Sequence, residues 1–515
     1  MYVSSSTGFP ISQRISSLRR WARAGCFAVL LFCFASVGKA QRANVTVSVA
    51  PGSPGRVTIE GDTALTKTWS FRNEYAGVSE LGGRVEALKV FGSAGAEISV
   101  KKIAPGQFEA ATPASRFRYD VSLAPPVRAS DAARVSWLHT DRGLLMLADL
   151  LPVYPGDGSH NGREFGTVRF KLPDSWVVHS NEKQIAPGEF EVAFAGHAVF
   201  VIGTRLRTSH LAIEGMAFDL VADGEWAFAD GDALKMGADI LKAHREVFGT
   251  MPAKRGTLIL VPFPQVVAAN KWSAETRGST VTLLLGKLPS KTAALLQLSV
   301  PLTHELFHLW VPNALGFDGD YDWFYEGFTV YQAARTGVGL GLLTFPEFLN
   351  AIARAYDAYI AGVDHDRWSL IEASKRRWTV GESSVYSKSM VIAFLYDLKL
   401  RSESHGKHSL DDAYRKLLRS ASEKGAAGQG IDGNDAVTTA LGSNSKMQDF
   451  VRRFIRAPVT VNLEQELSPY GLRAEAFGFR TRIAVSEQLS RAQRDLLREL
   501  GYNDSARSPN RKKRT

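Results

Sequence analysis

Two histidines four residues apart, with a glutamate directly after the first, stand out in a 515-residue chain: His304, Glu305 and His308 in the stretch LTHELFHLWVPN. On an α-helix residues four apart share a face, so the two imidazoles can reach one ion while Glu305 projects beside it. A hydrolytic zinc site needs three protein ligands and an open position, so two histidines are one ligand short. The stretch WFYEGFTVY offers Glu326, eighteen positions after His308. A carboxylate in such an apolar, helix-compatible segment is costly unless it is paired or bound to a cation. The competing reading is an apolar helix with two satisfied core histidines. It leaves His304, Glu305, His308 and Glu326 each in need of a separate buried partner. A metal site accounts for all four together.

The elements that must position these groups change character along the chain. From about Val45 to Asp223, runs such as RVTIEG, RVEALKVFG, FRYDVSLAPP, GTVRFKLP, FEVAFAG and HAVFVIGTRL alternate apolar and polar residues or form short apolar blocks between Gly, Pro and Asp clusters. They predict an antiparallel, sandwich-like β domain over 41–228, with the glycine-rich stretch around His160 as a surface loop. Residues 229–343 are expected to form the core that carries the two histidines. DALKMGADILKAHREVFG has helical spacing and ends at Gly249, TLILVPF and STVTLLLG read as strands, and KTAALLQLSVPLTHELFHLW reads as a buried helix kinked or restarted at Pro301. At least five helices follow over 344–458, completing the site. A segment over 459–502 has a β-like start and an amphipathic helical end, SRAQRDLLRELGY. The fold class is therefore multidomain α+β.

The stretches HELFHLW, WFYEGFTVY and SVYSKSMVIAFLYDLKLR together resemble those of gluzincin metallopeptidases, specifically the glycyl aminopeptidase family and, more distantly, aminopeptidase N. The resemblance covers most of the chain beyond residue 40. It implies a β-rich N-terminal domain, a thermolysin-like catalytic domain and an α-helical C-terminal region. It implies Zn2+ bound by His304, His308 and Glu326, with Glu305 as general base and Tyr386 of VYSKS stabilising the oxyanion. Asn313 matches an asparagine of aminopeptidase N relatives, or serves as a turn residue.

The chain also departs from the pattern. Relatives carry a Gly-Gly-x-Glu-His-like stretch on the edge strand, whose glutamate helps hold the substrate's free amino terminus. This sequence reads SAETRGSTVTLLLG there, with Glu275 out of register and Arg277, Gly278 and Ser279 following. Ser389 replaces the usual glycine after Lys388, and the segment after Val459 is short for a PDZ-type domain. The implied function is a zinc-dependent, aminopeptidase-like peptidase acting on a peptide substrate. An endopeptidase on the same site and a non-catalytic, zinc-containing peptide-binding protein are the alternatives.

The net charge of +10 does not indicate nucleic acid once it is located. Five basic residues and no acid lie in the first forty positions, and the tail 503–515 holds five more against Asp504, leaving +1 for the body. Residues 1–40 read as a signal peptide: a basic start, an apolar run from Cys26 to Val37 and small residues up to Ala40. Twelve apolar residues are short for a membrane span, so export to the periplasm or medium is expected, with an uncleaved anchor as the alternative. Both cysteines, Cys26 and Cys33, lie in that leader, so the remainder has neither a disulfide nor a thiolate zinc site. The basic tail is expected to be disordered.

Overall fold

The computed structural model describes residues 43–503, apart from 53, 154–165, 364, 427–429 and 479. The leader at 1–40, the glycine-rich stretch around His160 and the basic tail after 503 lie outside the described residues. Among those described, no helix is long and apolar enough to cross a membrane.

Two sheets share the N-terminal core. The larger has nine strands and is built around Ala43–Ala50, Arg56–Ser70 and Gln107–Ser122; the smaller has four, Val177–Ser180, Val199–Gly203, Arg142–Met146 and Trp137–Leu138. Val47, Ile59, Phe117 and Val168 of the first pack with Leu145, Phe200 and Ile202 of the second. Alternation in the sequence produces this arrangement, since every second side chain of a strand enters the core. One pairing departs from the antiparallel expectation: Ala43–Ala50 runs parallel to Gly166–Lys171. More than a hundred residues separate these strands, ample for the crossover that a parallel pair requires.

A third sheet positions the site. Its five strands lie in the order Arg207–Ile213, Met216–Ala222, Arg255–Pro262, Thr280–Leu285 and Trp272–Arg277, the last at a free edge. Its first two strands fall before residue 228, so the sheet crosses the boundary expected from the sequence. The strand Arg255–Pro262 reads as a continuous apolar run because both of its faces are covered. Leu258 and Leu260 join the core formed with the helices, whereas Ile259 and Val261 pack on Trp137, Leu144 and Val199 of the four-stranded sheet.

The helix Asp230–Phe248 covers the first of these faces and ends at Gly249, whose φ of 84° is a left-handed conformation suited to glycine. The motif helix runs unbroken over Lys291–Phe307 with Pro301 inside it, so no new helix starts at the proline. Pro301 is buried, and packing there outweighs the missing backbone donor. The five helices expected after residue 344 are all present, and the same hydrophobic core extends through them to Leu500. The region after Val459 opens on a short helix, Leu463–Leu467, and its strands come later as the hairpin Leu472–Phe477 with Arg480–Val485.

The buried Asp397 ties these helices together. It accepts hydrogen bonds from the Tyr331 hydroxyl at 2.6 Å, Arg401 Nε at 3.0 Å and the Leu410 backbone N–H at 2.8 Å, and Arg335 Nη1 lies 3.5 Å away. Removing the carboxylate takes a buried anionic partner from both guanidinium groups, leaving Arg335 with Asp411 and Arg401 with Glu499, and takes the acceptor from the Tyr331 hydroxyl and the Leu410 N–H. Asp397→Ala is expected to destabilise the fold by about 3–5 kcal/mol in chemical denaturation; a loss below 1 kcal/mol would contradict this role for the cluster.

Candidate metal centre and its cleft

His304 and His308 leave the motif helix on one face, with their Nε2 atoms 3.0 Å apart. Glu326 meets them from the wide helical turn Trp323–Phe328, which precedes the helix Thr329–Gly339. Its Oε2 lies 3.3 Å from His304 Nε2 and 3.6 Å from His308 Nε2. The three candidate ligand atoms all fall within 4.8 Å of one another. His308 Nδ1 is 2.8 Å from the Val311 carbonyl oxygen. A carbonyl only accepts, so Nδ1 carries a proton and Nε2 is the nitrogen that can bind a cation once its own proton is displaced. Two imidazole nitrogens and one carboxylate oxygen form the donor set of an open zinc site, and the residues fit that ion.

The charges around Glu326 are balanced by a residue the sequence reading missed. Arg377 Nη2 donates to Glu326 Oε1 at 2.8 Å and also to the Tyr386 hydroxyl oxygen. Its Nη1 donates to Asp322 Oδ1 at 2.8 Å, and its guanidinium lies 4.2 Å from the centre of the Trp378 ring. Burial alone would raise the Glu326 carboxyl, but Arg377 and the histidines hold it well below the usual carboxylate range. Burial raises the Tyr386 phenol well above its ordinary value, with Glu326 adding to the rise, so the hydroxyl keeps its proton. Because Arg377 occupies the phenolic oxygen as a donor, the O–H remains available to another acceptor.

Glu305 points toward the edge strand, where Thr276 Oγ1 lies 2.6 Å from its Oε2 and 3.0 Å from its carbonyl oxygen. The single hydroxyl proton serves one of these at a time. Thr276 was likewise not singled out in the sequence, although it lies in the ETRGST stretch where the chain departs from its relatives. Asn313 Nδ2 donates to the Gly278 carbonyl at 2.8 Å, which ties the turn after the motif helix to the end of the edge strand. Glu275 lies in the cleft wall with Thr276 and Glu305, despite its displaced register in the sequence. It accepts a hydrogen bond from the Tyr75 hydroxyl at 2.6 Å.

Close packing explains the neighbours of these residues. A Cβ on Gly327 would lie 2.2 Å from Ser389 Cβ and 2.6 Å from the Val385 carbonyl oxygen. Only glycine lets the Glu326 turn approach the segment that carries Tyr386. Ser389 fills that contact and donates to the Ser384 carbonyl at 3.0 Å. Lys388 is fully buried and turns away toward the His365 carbonyl, 3.2 Å from its Nζ. The cleft lined by the ligand set, Glu305 and Tyr386 has a volume of about 1400 Å³.

Burial opposes a charge on His308, yet Glu326 and Glu305 outweigh it and push its pKa up to about 9. In the metal-free protein the charged imidazole therefore contributes stability below pH 6.5 that is lost as pH rises through about 9. A metal ion must displace that proton. Zinc affinity is expected to rise about tenfold per pH unit through this window, with about one proton released per ion, as read by calorimetric titration in buffers of different ionisation heat. An affinity that stays flat between pH 6.5 and 9 would contradict the assignment.

No protein-family model and no curated protein sequence matches the chain. Solved structures do. An aminopeptidase N family protein from Idiomarina loihiensis superposes with a TM-score of 0.69 at 18% identity, over 84% of this chain and 79% of that one. An M1 zinc metallopeptidase from Deinococcus radiodurans matches at 0.50 and 16% identity, over 82% and 95%. A mutant of the latter bound to a Tyr-Ser-Ala substrate matches at 0.52 and 15% identity, over 82% and 95%. The chain has the fold of the aminopeptidase N family and of the M1 zinc metallopeptidases.

Proposed function

We propose that the chain is a zinc-dependent peptidase, aminopeptidase-like in architecture, with a thermolysin-like catalytic region. The convergence of His304, His308 and Glu326 beside Glu305 and Tyr386 in one cleft carries this reading. It is supported by the shared fold and by a neighbour described with a tripeptide substrate.

When bound, zinc would acidify a water and polarise the scissile carbonyl. Glu305 then takes a proton from the attacking water and returns it to the leaving amine. Thr276 fixes the direction of that carboxylate. Tyr386 donates its hydroxyl to the developing oxyanion, and Arg377 holds the phenol in place from the side away from its proton. Arg377 also keeps Glu326 ionised for its role as a ligand. A structural zinc would need neither Glu305 nor Tyr386, which sets the peptide-binding alternative aside. The leader-like first forty residues support action after export.

Assays of the mature protein on free and N-blocked peptides, with and without a chelator, test the reading. Glu305→Gln is expected to lower kcat by about 10²–10⁴-fold, and Tyr386→Phe by about 10²–10³-fold with zinc content unchanged. Cleavage insensitive to both chelator and Glu305→Gln would sink it. Loss of cleavage on N-blocking would identify an aminopeptidase.

A further inference from the structure

At the end of the cleft beside the edge strand two guanidinium groups, Arg134 and Arg277, flank Glu275, and Glu305 lies close enough to act on it as well. Arg277 is enclosed: it is 3% exposed, lies 4.0 Å from the centre of the Tyr75 ring, donates from Nη2 to the Arg134 carbonyl at 2.6 Å and faces Asp149 at 4.0 Å, with Nε and Nη1 making no hydrogen bond. Arg134 is not. Its Nε lies 3.7 Å from Glu275 Oε2, beyond hydrogen-bond distance, and has no hydrogen-bond partner. Its guanidinium lies 5.5 Å from the centre of the Trp378 ring. Among the described residues its two terminal nitrogens make no hydrogen bond, and its side chain is about a quarter exposed, into the cleft.

Arg134 is therefore a planar cation held in place from three sides, by Glu275, Trp378 and its own anchored backbone, with the fork of its guanidinium open. It is close enough to Tyr386 to act on that phenol electrostatically. Such a fork matches a carboxylate in two parallel hydrogen bonds. The ion pair with Glu275 accounts for a cation at this position, but it leaves both terminal nitrogens of Arg134 without a hydrogen bond where they border the cleft.

We propose that Arg134 receives a carboxylate of the substrate next to the scissile bond, and that the site selects acidic peptides. This deepens the peptidase reading and rests on it for the identity of the substrate. The 3.7 Å spacing between Arg134 and Glu275 favours one source. An N-terminal Glu or Asp offers an ammonium to Glu275 and a carboxylate to Arg134 from the same residue. Burial raises the Glu275 carboxyl, so an ammonium alone gains less there than at an ionised acid. The α-carboxylate of a short peptide is the other possible source.

Two readouts on the zinc-loaded protein test this. The first compares kcat/KM for peptides beginning with Glu or Gln, each with a free or amidated C-terminus. The second measures binding of L-glutamate and L-glutamine calorimetrically, with no turnover required. Wild type is expected to favour the acidic member by at least about tenfold in both, the discrimination of a charge-assisted hydrogen bond partly open to water. Arg134→Gln should abolish that preference, lowering the value for the Glu peptide at least about tenfold more than that for the Gln peptide, Arg134→Lys should retain part of it, and Arg134→Glu should turn it toward an N-terminal Lys.

A preference that follows the free C-terminus supports the same subsite, with the α-carboxylate as its ligand. Equal handling of Glu and Gln by wild type overturns the proposal, as does an equal fall for all substrates in Arg134→Gln. If no peptide is cleaved but L-glutamate binding depends on Arg134, the subsite stands and the peptidase reading fails. If chelator-sensitive cleavage shows no charge preference, the peptidase reading stands and the subsite fails.

Discussion

A carboxylate cannot be buried without positive charge beside it, and Glu326 is buried against two imidazoles and a guanidinium. Arg377 compensates one of its oxygens, and the other is left facing the histidines, where only a proton or a metal ion can complete the balance. The surrounding geometry follows from that requirement. His304 and His308 come from one helix, Glu326 from a wide turn after it, and Arg377 from a segment some fifty residues further on. Gly327 lets the turn approach, and Tyr386 is drawn into the same network through Arg377. The candidate ligands and Tyr386 are thus one electrostatic unit.

The sheets determine what that unit faces. One edge strand of the five-stranded sheet, Trp272–Arg277, forms a wall of the cleft. Thr276 on that edge orients Glu305. The N-terminal β region completes the wall with Tyr75 and Arg134, so a part of the molecule with no ligand of its own controls the charge next to the reacting groups. The chain shares its fold with peptidases, but the edge-strand end of its cleft is richer in arginine than an anchor for an amino terminus alone requires.

Local patterns in the sequence pointed to the candidate metal centre because its parts are local. The two histidines are one helical turn apart, and Glu326 stands out as a charge in an apolar run. Tyr386 could be placed only through the resemblance of VYSKS to known relatives, since nothing in its own neighbourhood distinguishes it from a packed helix tyrosine. Arg377, Thr276 and Arg134 were not legible. Each acts on a partner far away in the chain, and the stretches that carry them have the composition of ordinary loops and strand ends. The fold was readable where a single face is buried, in the alternating strands and the amphipathic helices. It was misread where a strand's partner lies far away in sequence, as in the parallel pairing at Ala43–Ala50 and the sheet that crosses residue 228.

The central claim is that one zinc ion is held by His304, His308 and Glu326. X-ray absorption at the zinc edge of the purified protein addresses it directly. One tightly held zinc per chain is expected, bound by two imidazoles and oxygen donors, with the loss of one imidazole signal in His308→Ala. A protein that binds no zinc, or whose zinc shell is unchanged in His308→Ala, would contradict it.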